Sequence, residues 1–575
     1  MRALTKTFRF WAAWFLPAGA LILSACGVSD TPEPESRRPP NVVLIMTDDQ
    51  GWTQAGFQGD DVIRTPNLDR LASQSVNLTR FYVSPVCAPT RASLMTGRYN
   101  YRTGVVDTYI GRAMMHGDEV TIAEMLSQSG YKTGIFGKWH LGDNYPMRAM
   151  DQGFQEALVH KGGGIGQPSD PPGTSYFDPI LQLNGEQKPY AGYCTDIFFN
   201  SARTFIEQNR DNPFFVYIPT NAPHSPYDVP ESYIEPYRAL GLNDKDARIY
   251  GMIANIDENV GKLLRLLDER GLAENTIVIF MTDNGPTTRR YTAGLREQKA
   301  SVYEGGIRVP FLIRWSARLA PHGDDRIAAH IDVAPTLIEA AGAELPGDRT
   351  IDGSSLLPRL LDAAPPVPER TLYIQSHRGN VPQLYRSFAA VTQKYKLVQP
   401  KHFGQAMPDD AAPELYDLEA DSGEEHDLAA RETETVDRLK KGYEEWFEDV
   451  SSTRGYDPPR ISVGTGHENP VILTRQDWRV VGSDGYGDEN LGSWEVDVAA
   501  AGSYEVRLRF PKQQAAGRVE FALGNDHGEA EFNAGTESIT LGPFAFPAGP
   551  ATLEARLMRS GETVGVKYVD VAKLD

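Results

Sequence analysis

Cys87-Ala88-Pro89-Thr90-Arg91, continuing as Ala92-Ser93-Leu94-Met95-Thr96-Gly97-Arg98, sets a thiol and a guanidinium four positions apart. Pro89 suits a first helical turn, where a missing N–H costs nothing, and Gly97 suits a helix stop. The string predicts a short helix beginning at Cys87. Unpaired backbone N–H groups and the positive end of the helix dipole would surround the thiol, a setting that attracts anions. Arg91 falls one turn on and aims a fixed cation at the same place. Two further pairs carry oxygen ligands. The apolar run 41–47 ends in Asp48-Asp49, and the apolar run 276–282 ends in Asp283-Asn284. Either pair alone is ordinary turn chemistry. Two such strand ends beside the Cys87 helix read together as a cage for a metal ion.

Elements of a particular kind must carry these groups to one point. Runs 41–47, 131–136, 213–219, 276–282 and 311–313 have strand length and the unbroken apolarity of strands covered on both faces. Helical patterns alternate with them, at 65–72, 122–126, 244–269 and from Asp332 onward. The alternation predicts an α/β doubly wound, mostly parallel mixed sheet with helices on both faces. In such sheets ligands gather beyond the carboxyl ends of the strands. Lys138 and His140 follow one strand, and His224 follows another. Lys299 and the stretch Tyr303 to Pro310 precede a third. Lys138, His140 and His224 follow strands that point to the same edge.

These segments together resemble the type I, formylglycine-dependent sulfatases of the alkaline phosphatase superfamily. Their signature is Cys-X-Pro-Ser/Thr-Arg followed by Leu-Thr-Gly or Met-Thr-Gly and a basic residue, here Cys87 to Arg98. The resemblance covers roughly residues 38–450 with the motifs in the family's order. It implies hydrolysis of sulfate esters, with Cys87 oxidised by a maturation enzyme to Cα-formylglycine, whose hydrated aldehyde is the nucleophile. It implies that Asp48, Asp49, Asp283 and Asn284 hold one divalent cation that residue 87 also faces. All-oxygen ligation suits Ca2+, with Mg2+ as the alternative, and disfavours zinc. It further implies that Arg91 orients residue 87, that Lys138, His224 and Lys299 contact the sulfate, that His224 protonates the leaving alcohol, and that His140 handles the second hydroxyl. Arg91, Lys138 and Lys299 balance the three carboxylates, so a divalent cation leaves the cradle net positive.

That local sign matters because the whole chain of 575 residues carries a formal charge of -20. Such acidity excludes nucleic acid as a partner. The N-terminus has basic Arg2, Lys6 and Arg9, an apolar stretch, and Leu23-Ser24-Ala25-Cys26, which resembles a bacterial lipobox. This predicts a signal peptide over 1–25, lipid on Cys26, a tether over 26–40, and a periplasmic or cell-surface lipoprotein, favouring the outer membrane. Cys87 and Cys194 are then left, and a disulfide between them is the structural rival to the formylglycine reading. The catalytic α/β domain is expected over 41–365, and a small C-terminal antiparallel sheet-plus-helix subdomain over 366–452. A β-sandwich is expected over 458–575 from its short alternating strands. There Trp478, Tyr486 and Trp494 pack a core or stack on sugars. The Gly- and Pro-rich segment 153–195 predicts a long loop at the mouth of the site, with His160, Lys161 and Asp170 as candidates for gripping the leaving group. Anchor, loop and sandwich favour a sulfated poly- or oligosaccharide substrate. The alternatives are an arylsulfatase for small esters, a phosphomonoester or phosphonate hydrolase, and a non-catalytic glycan-binding lipoprotein.

Overall fold

The computed structural model describes residues 38–361, 369–399, 412–480, 485–487, 489–559 and 561–574. The predicted signal peptide, Cys26, most of the tether and the Pro-rich boundary at 365–368 lie outside the described residues. At the centre stands a sheet of ten strands. Five of them are mutually parallel, in the order Thr276–Thr282, Asn41–Thr47, Phe214–Pro219, Lys132–Lys138 and Glu156–His160. Phe311–Arg314 joins antiparallel to Thr276–Thr282, and Ile180–Leu183 joins antiparallel to Glu156–His160.

Alternation along a strand sorts side chains to two cores. Val42, Leu44 and Met46 face one cluster, which holds the helices Cys87–Thr96, Ile122–Gln128 and Val333–Ala341. Val43 and Ile45 face the other, under Pro66–Ser73, Cys194–Asn209 and Asp244–Glu269. Both faces are apolar, so the strands read as continuous hydrophobic runs.

Two smaller bodies follow. Strands Leu372–Gln375, Phe388–Val391, Tyr395–Val398 and Glu414–Asp417 form an antiparallel sheet against the helix Thr433–Ser452 through Leu439, Tyr443, Trp446 and Val450. Buried Lys396 ties this sheet to the large α/β body, with Nζ 3.0 Å from Glu304 Oε1 and 2.9 Å from Glu424 Oε1. Beyond residue 460, two facing sheets enclose Trp478, Trp494 and a set of Val, Leu and Phe side chains. Ile110, Met114 and Met147 of the large α/β body complete that core.

One local expectation changes. The segment 153–195 is not one loop, because Glu156–His160, Ile180–Leu183 and Glu186–Pro189 extend the sheet edge and the irregular stretch is 161–179. At the end of the sandwich, Glu562–Gly565 pairs within one sheet and Tyr568–Lys573 within the other.

Gly137 holds the approach of the site-bearing strand end. Its φ is +143°, and an added Cβ would lie 1.9 Å from the Pro219 carbonyl oxygen. Gly137→Ala is therefore expected to destabilise the protein by about 2 kcal/mol or more. A urea unfolding midpoint equal to that of the parent protein would contradict this close approach.

Candidate active site

The parallel strands end at a buried cluster of charges. Asp48 and Asp283 follow neighbouring strands whose last residues, Thr47 and Thr282, are in register. The Asp49 N–H donates to Asp283 Oδ1 at 3.2 Å, and the Gln50 N–H to Thr282 Oγ1 at 3.3 Å. Asp49 takes φ 67°, a strained conformation for a residue other than glycine, which turns its carboxylate back into the cluster. The helix Cys87–Thr96 points its first turn at them, with Gly97 closing it at φ 71°. The ligand atoms of Asp48, Cys87 and Asp283 all lie within 4.8 Å of one another.

Cations enclose these acids. Arg91 Nη2 donates to Asp283 Oδ2 at 2.7 Å, and its Nη1 to the Lys138 carbonyl at 3.1 Å. Lys138 Nζ lies 2.6 Å from Asp48 Oδ2, and Lys299 Nζ lies 2.5 Å from Asp49 Oδ1 and 3.9 Å from Cys87 Sγ. Burial and the neighbouring Asp283 push the Asp48 carboxyl up to about 8, against the pull of Lys138. Burial would raise Asp49 too, but the charges of Lys299 and His224 prevail and hold it at about 2.

The donor set fits a divalent cation. Asp48 Oδ1 and Asn284 Oδ1 are buried and have no hydrogen-bond partner among the described residues. Buried acceptors are rarely left so, and a cation between them would satisfy both. Carboxylate and amide oxygens suit a hard ion.

Two histidines complete the site. His140 Nε2 lies 2.6 Å from the Thr108 carbonyl. A carbonyl only accepts, so Nε2 carries the hydrogen and Nδ1 is the basic atom. Nδ1 is buried without a partner among the described residues. Burial, then Lys138 and Arg91, hold this ring well below the ordinary histidine range. His224 Nδ1 donates to the Ser225 carbonyl at 2.7 Å, leaving Nε2 3.8 Å from Asp49 Oδ2. Burial lowers it to about 4, partly offset by Asp49.

Cys87, His140, His224 and Lys299 open on one cavity of about 500 Å³. Asp48, Asp49, Asp283, Asn284, Arg91 and Lys138 lie directly beneath. Among the described residues Cys87 and Cys194 are both free thiols, which removes the disulfide rival. Burial pushes the Cys87 thiol up despite Lys138 and Lys299, so as a thiol it is a poor nucleophile. His160, Lys161 and Asp170 do not line this cavity. The His160 and Lys161 carbonyls instead accept from the Trp139 and His140 N–H groups, Lys161 lines a separate hollow, and Asp170 caps the Gly166 N–H. Gly163 and Gln167 face the cavity in their stead. Tyr109 and Arg378 also line it and carried no local signal, because each sits on an irregular loop; Tyr486, one of the aromatics expected to pack a core or stack on sugars, lines it too. A larger hollow of about 750 Å³ on the outer sandwich, near Arg518 and Glu531, shares no residue with this site.

The sulfatase family model matches residues 40–343, and one described as N-sulphoglucosamine sulphohydrolase, C-terminal, matches 297–449. The chain is 34% identical to arylsulfatase A of Homo sapiens over 68% of its own length and 83% of that protein. It is 27% identical to an N-acetylgalactosamine-6-O-sulfatase of Bacteroides thetaiotaomicron, over 74% of this chain and 96% of that one. Among solved structures, that of Ps i-CgsB in complex with k-i-k-neocarrahexaose superposes with a TM-score of 0.65 at 27% identity, over 73% of this chain and 95% of that one. A phosphonate monoester hydrolase of Agrobacterium radiobacter shares the fold, with a TM-score of 0.51 at 20% identity over 72% and 95% of the two chains. The chain belongs to the sulfatase family and is a sulfuric ester hydrolase. The family generally works with a formylglycine and a divalent metal, and the Asp48, Cys87 and Asp283 cluster is consistent with such a site.

Cation binding should be visible in the fold itself. Asp48 holds its proton more tightly folded than unfolded, so without a cation it costs stability increasingly as pH rises from 3.8 toward about 8. Calcium is expected to raise the unfolding temperature, by a free energy of about 2.7 kcal/mol at a hundred times its dissociation constant. It is also expected to expel a proton at neutral pH, read by calorimetry in two buffers of different ionisation enthalpy. Asp283→Asn should lose most of the thermal increment. Equal increments in the two proteins would show that the cluster holds no cation.

Proposed function

We propose that this protein removes sulfate from sulfated poly- or oligosaccharides, using a formylglycine made from Cys87 and one calcium ion. The observation that carries the reading is the convergence of Asp48, Cys87 and Asp283 within 4.8 Å, ringed by Arg91, Lys138 and Lys299. The glycan substrate is supported by the names of the relatives, an N-acetylgalactosamine-6-O-sulfatase and a protein solved with k-i-k-neocarrahexaose. When present, the cation and the hydrated aldehyde supply fixed positive charge and a pair of usable hydroxyls. Asp48, Asp49, Asp283 and Asn284 would hold the cation.

The remaining work falls to side chains of this chain. Lys138 and Lys299 neutralise sulfate oxygens in a pocket with little water to screen them. Arg91 spans Asp283 and the Lys138 carbonyl, which fixes the helix start against the strand ends. His224, with 14% of its side chain exposed, faces the mouth. An anionic ester beside its ring favours the charged form, so Nε2 can hold the proton that the leaving alcohol needs. His140, neutral and with Nδ1 open, is the base that takes a proton from residue 87 to release sulfate.

A lipid on Cys26 would keep the enzyme on the outer membrane, periplasmic or cell-surface, within reach of polysaccharide. A maturation enzyme must oxidise Cys87 before turnover. Among the described residues no helix is long and apolar enough to cross a membrane.

Peptide mass spectrometry across Cys87 of protein made with the maturation enzyme is expected to show the aldehyde in place of the thiol. Sulfate release from a panel of sulfated glycans should fall by roughly a thousandfold or more in Cys87→Ala and in Asp283→Ala. Parental rates in Cys87→Ala, or faster cleavage of an aryl phosphonate ester than of the matching sulfate ester, would overturn the reading.

A further inference from the structure

The cavity extends beyond the sulfate cradle, and its outer wall comes from parts of the chain that neither lysine nor histidine motif marks. Tyr486, on the C-terminal sandwich, packs its ring edge-on to Tyr109 at 5.5 Å between centroids. Arg378, on the loop after strand Leu372–Gln375, sets its guanidinium 4.4 Å from the Tyr109 ring centre, and Arg112 sets its own at 5.0 Å. Both arginines face one carboxylate: Arg378 Nε lies 3.3 Å and Arg112 Nη1 3.7 Å from Asp107 Oδ2. Arg479 stands nearby, and burial together with the Arg112 charge holds its guanidinium down at about 10. Three guanidiniums thus meet in this corner beside the carboxyls of Asp107 and Asp477, both of which burial raises toward the neutral form. Arg112 and Asp107 are buried, whereas Arg378 is 21% exposed and lines the same cavity as Cys87 and His224.

The wall is also rigid. Tyr486 O–H donates to Gln476 Oε1 at 2.6 Å, and Gln476 Nε2 donates to the Thr108 carbonyl at 3.1 Å. That carbonyl is the one that receives His140 Nε2. The Gly111 N–H donates to the Gln476 carbonyl at 2.8 Å. The sandwich thus fixes the loop bearing Tyr109 while anchoring the catalytic histidine. An edge-to-face aromatic pair beside a guanidinium, next to but outside the cradle, matches a sugar ring that carries an anion of its own.

We propose that Arg378, Tyr109 and Tyr486 form a subsite for a second anionic group on the leaving side of the substrate, a sulfate or a carboxylate. The enzyme then prefers esters on sugars that are charged twice. This rests on the sulfatase reading, since it takes the cradle to hold the first sulfate.

The test measures affinity on the full chain loaded with calcium, in the Cys87→Ala background so that nothing is turned over. Two pairs of probes separate the sources of the second charge: galactose 6-sulfate against galactose 4,6-disulfate, and N-acetylgalactosamine 6-sulfate against the disaccharide bearing a hexuronate. At least one doubly charged member is expected to bind about tenfold more tightly than its partner. Arg378→Gln should bring that ratio close to one, and Arg378→Lys, which keeps the charge and loses the planar fork, should leave it intermediate. If Arg378→Gln does not fold, the lysine variant decides. A ratio near one in both pairs, or a ratio unchanged by substitution at Arg378, overturns the subsite. Failure of the sulfatase reading would show separately, as no sulfate release by the matured parent protein.

Discussion

Asp48 and Asp283 end adjacent strands, both fully buried, and two carboxylates so placed repel each other in a medium that screens little. The surroundings answer that repulsion. Arg91 comes from the helix that starts at Cys87, Lys138 from a third strand end, and Lys299 from the loop before Glu304. Removing one partner from such a set strands a charge in the interior, which is why these positions are coupled rather than independent. The same demand explains the backbone. Asp49 and His140 both take left-handed conformations, at φ 67° and 61°, which only a well-determined surrounding can maintain.

Distribution of the site over distant stretches ties the small bodies to the chemistry. Lys396 reaches from the second sheet to Glu304, and the Glu304 N–H donates to Glu424 Oε2 at 2.7 Å. This braces the segment that carries Lys299. Gln476 of the sandwich shares the Thr108 carbonyl with His140. The sandwich thus helps to set the orientation of the histidine ring.

Much of this was legible in the residues. Strands 41–47 and 276–282 are unbroken apolar runs with oxygen ligands at their ends, and the observed strands have the same bounds. The helix at 87 was legible because Pro89 and Gly97 mark its two ends. The rest depends on pairing that no local pattern encodes. Strand Asp526–Phe532 carries charged and small residues with little apolar alternation, so only its neighbour Gly517–Leu523 defines it. Trp478 and Trp494 are core, with Trp494 Nε1 donating to the Thr474 carbonyl at 2.7 Å, whereas Tyr486 reaches the cavity. Period and composition do not distinguish these aromatics. Lys161 and Asp170 look as functional in sequence as Gln167 does not, yet Gln167 lines the cavity and they do not.

Ile110, Met114 and Met147 belong to the catalytic segment by sequence and to the sandwich by packing. Cutting the gene near residue 455 would leave these three side chains facing water, along with the Asp143 N–H that now donates to Asp477 Oδ2. The terminal module is therefore not an interchangeable accessory of the sort that recombination can shuffle onto any host. Loop and module share one core, and a chimera would have to transplant them together.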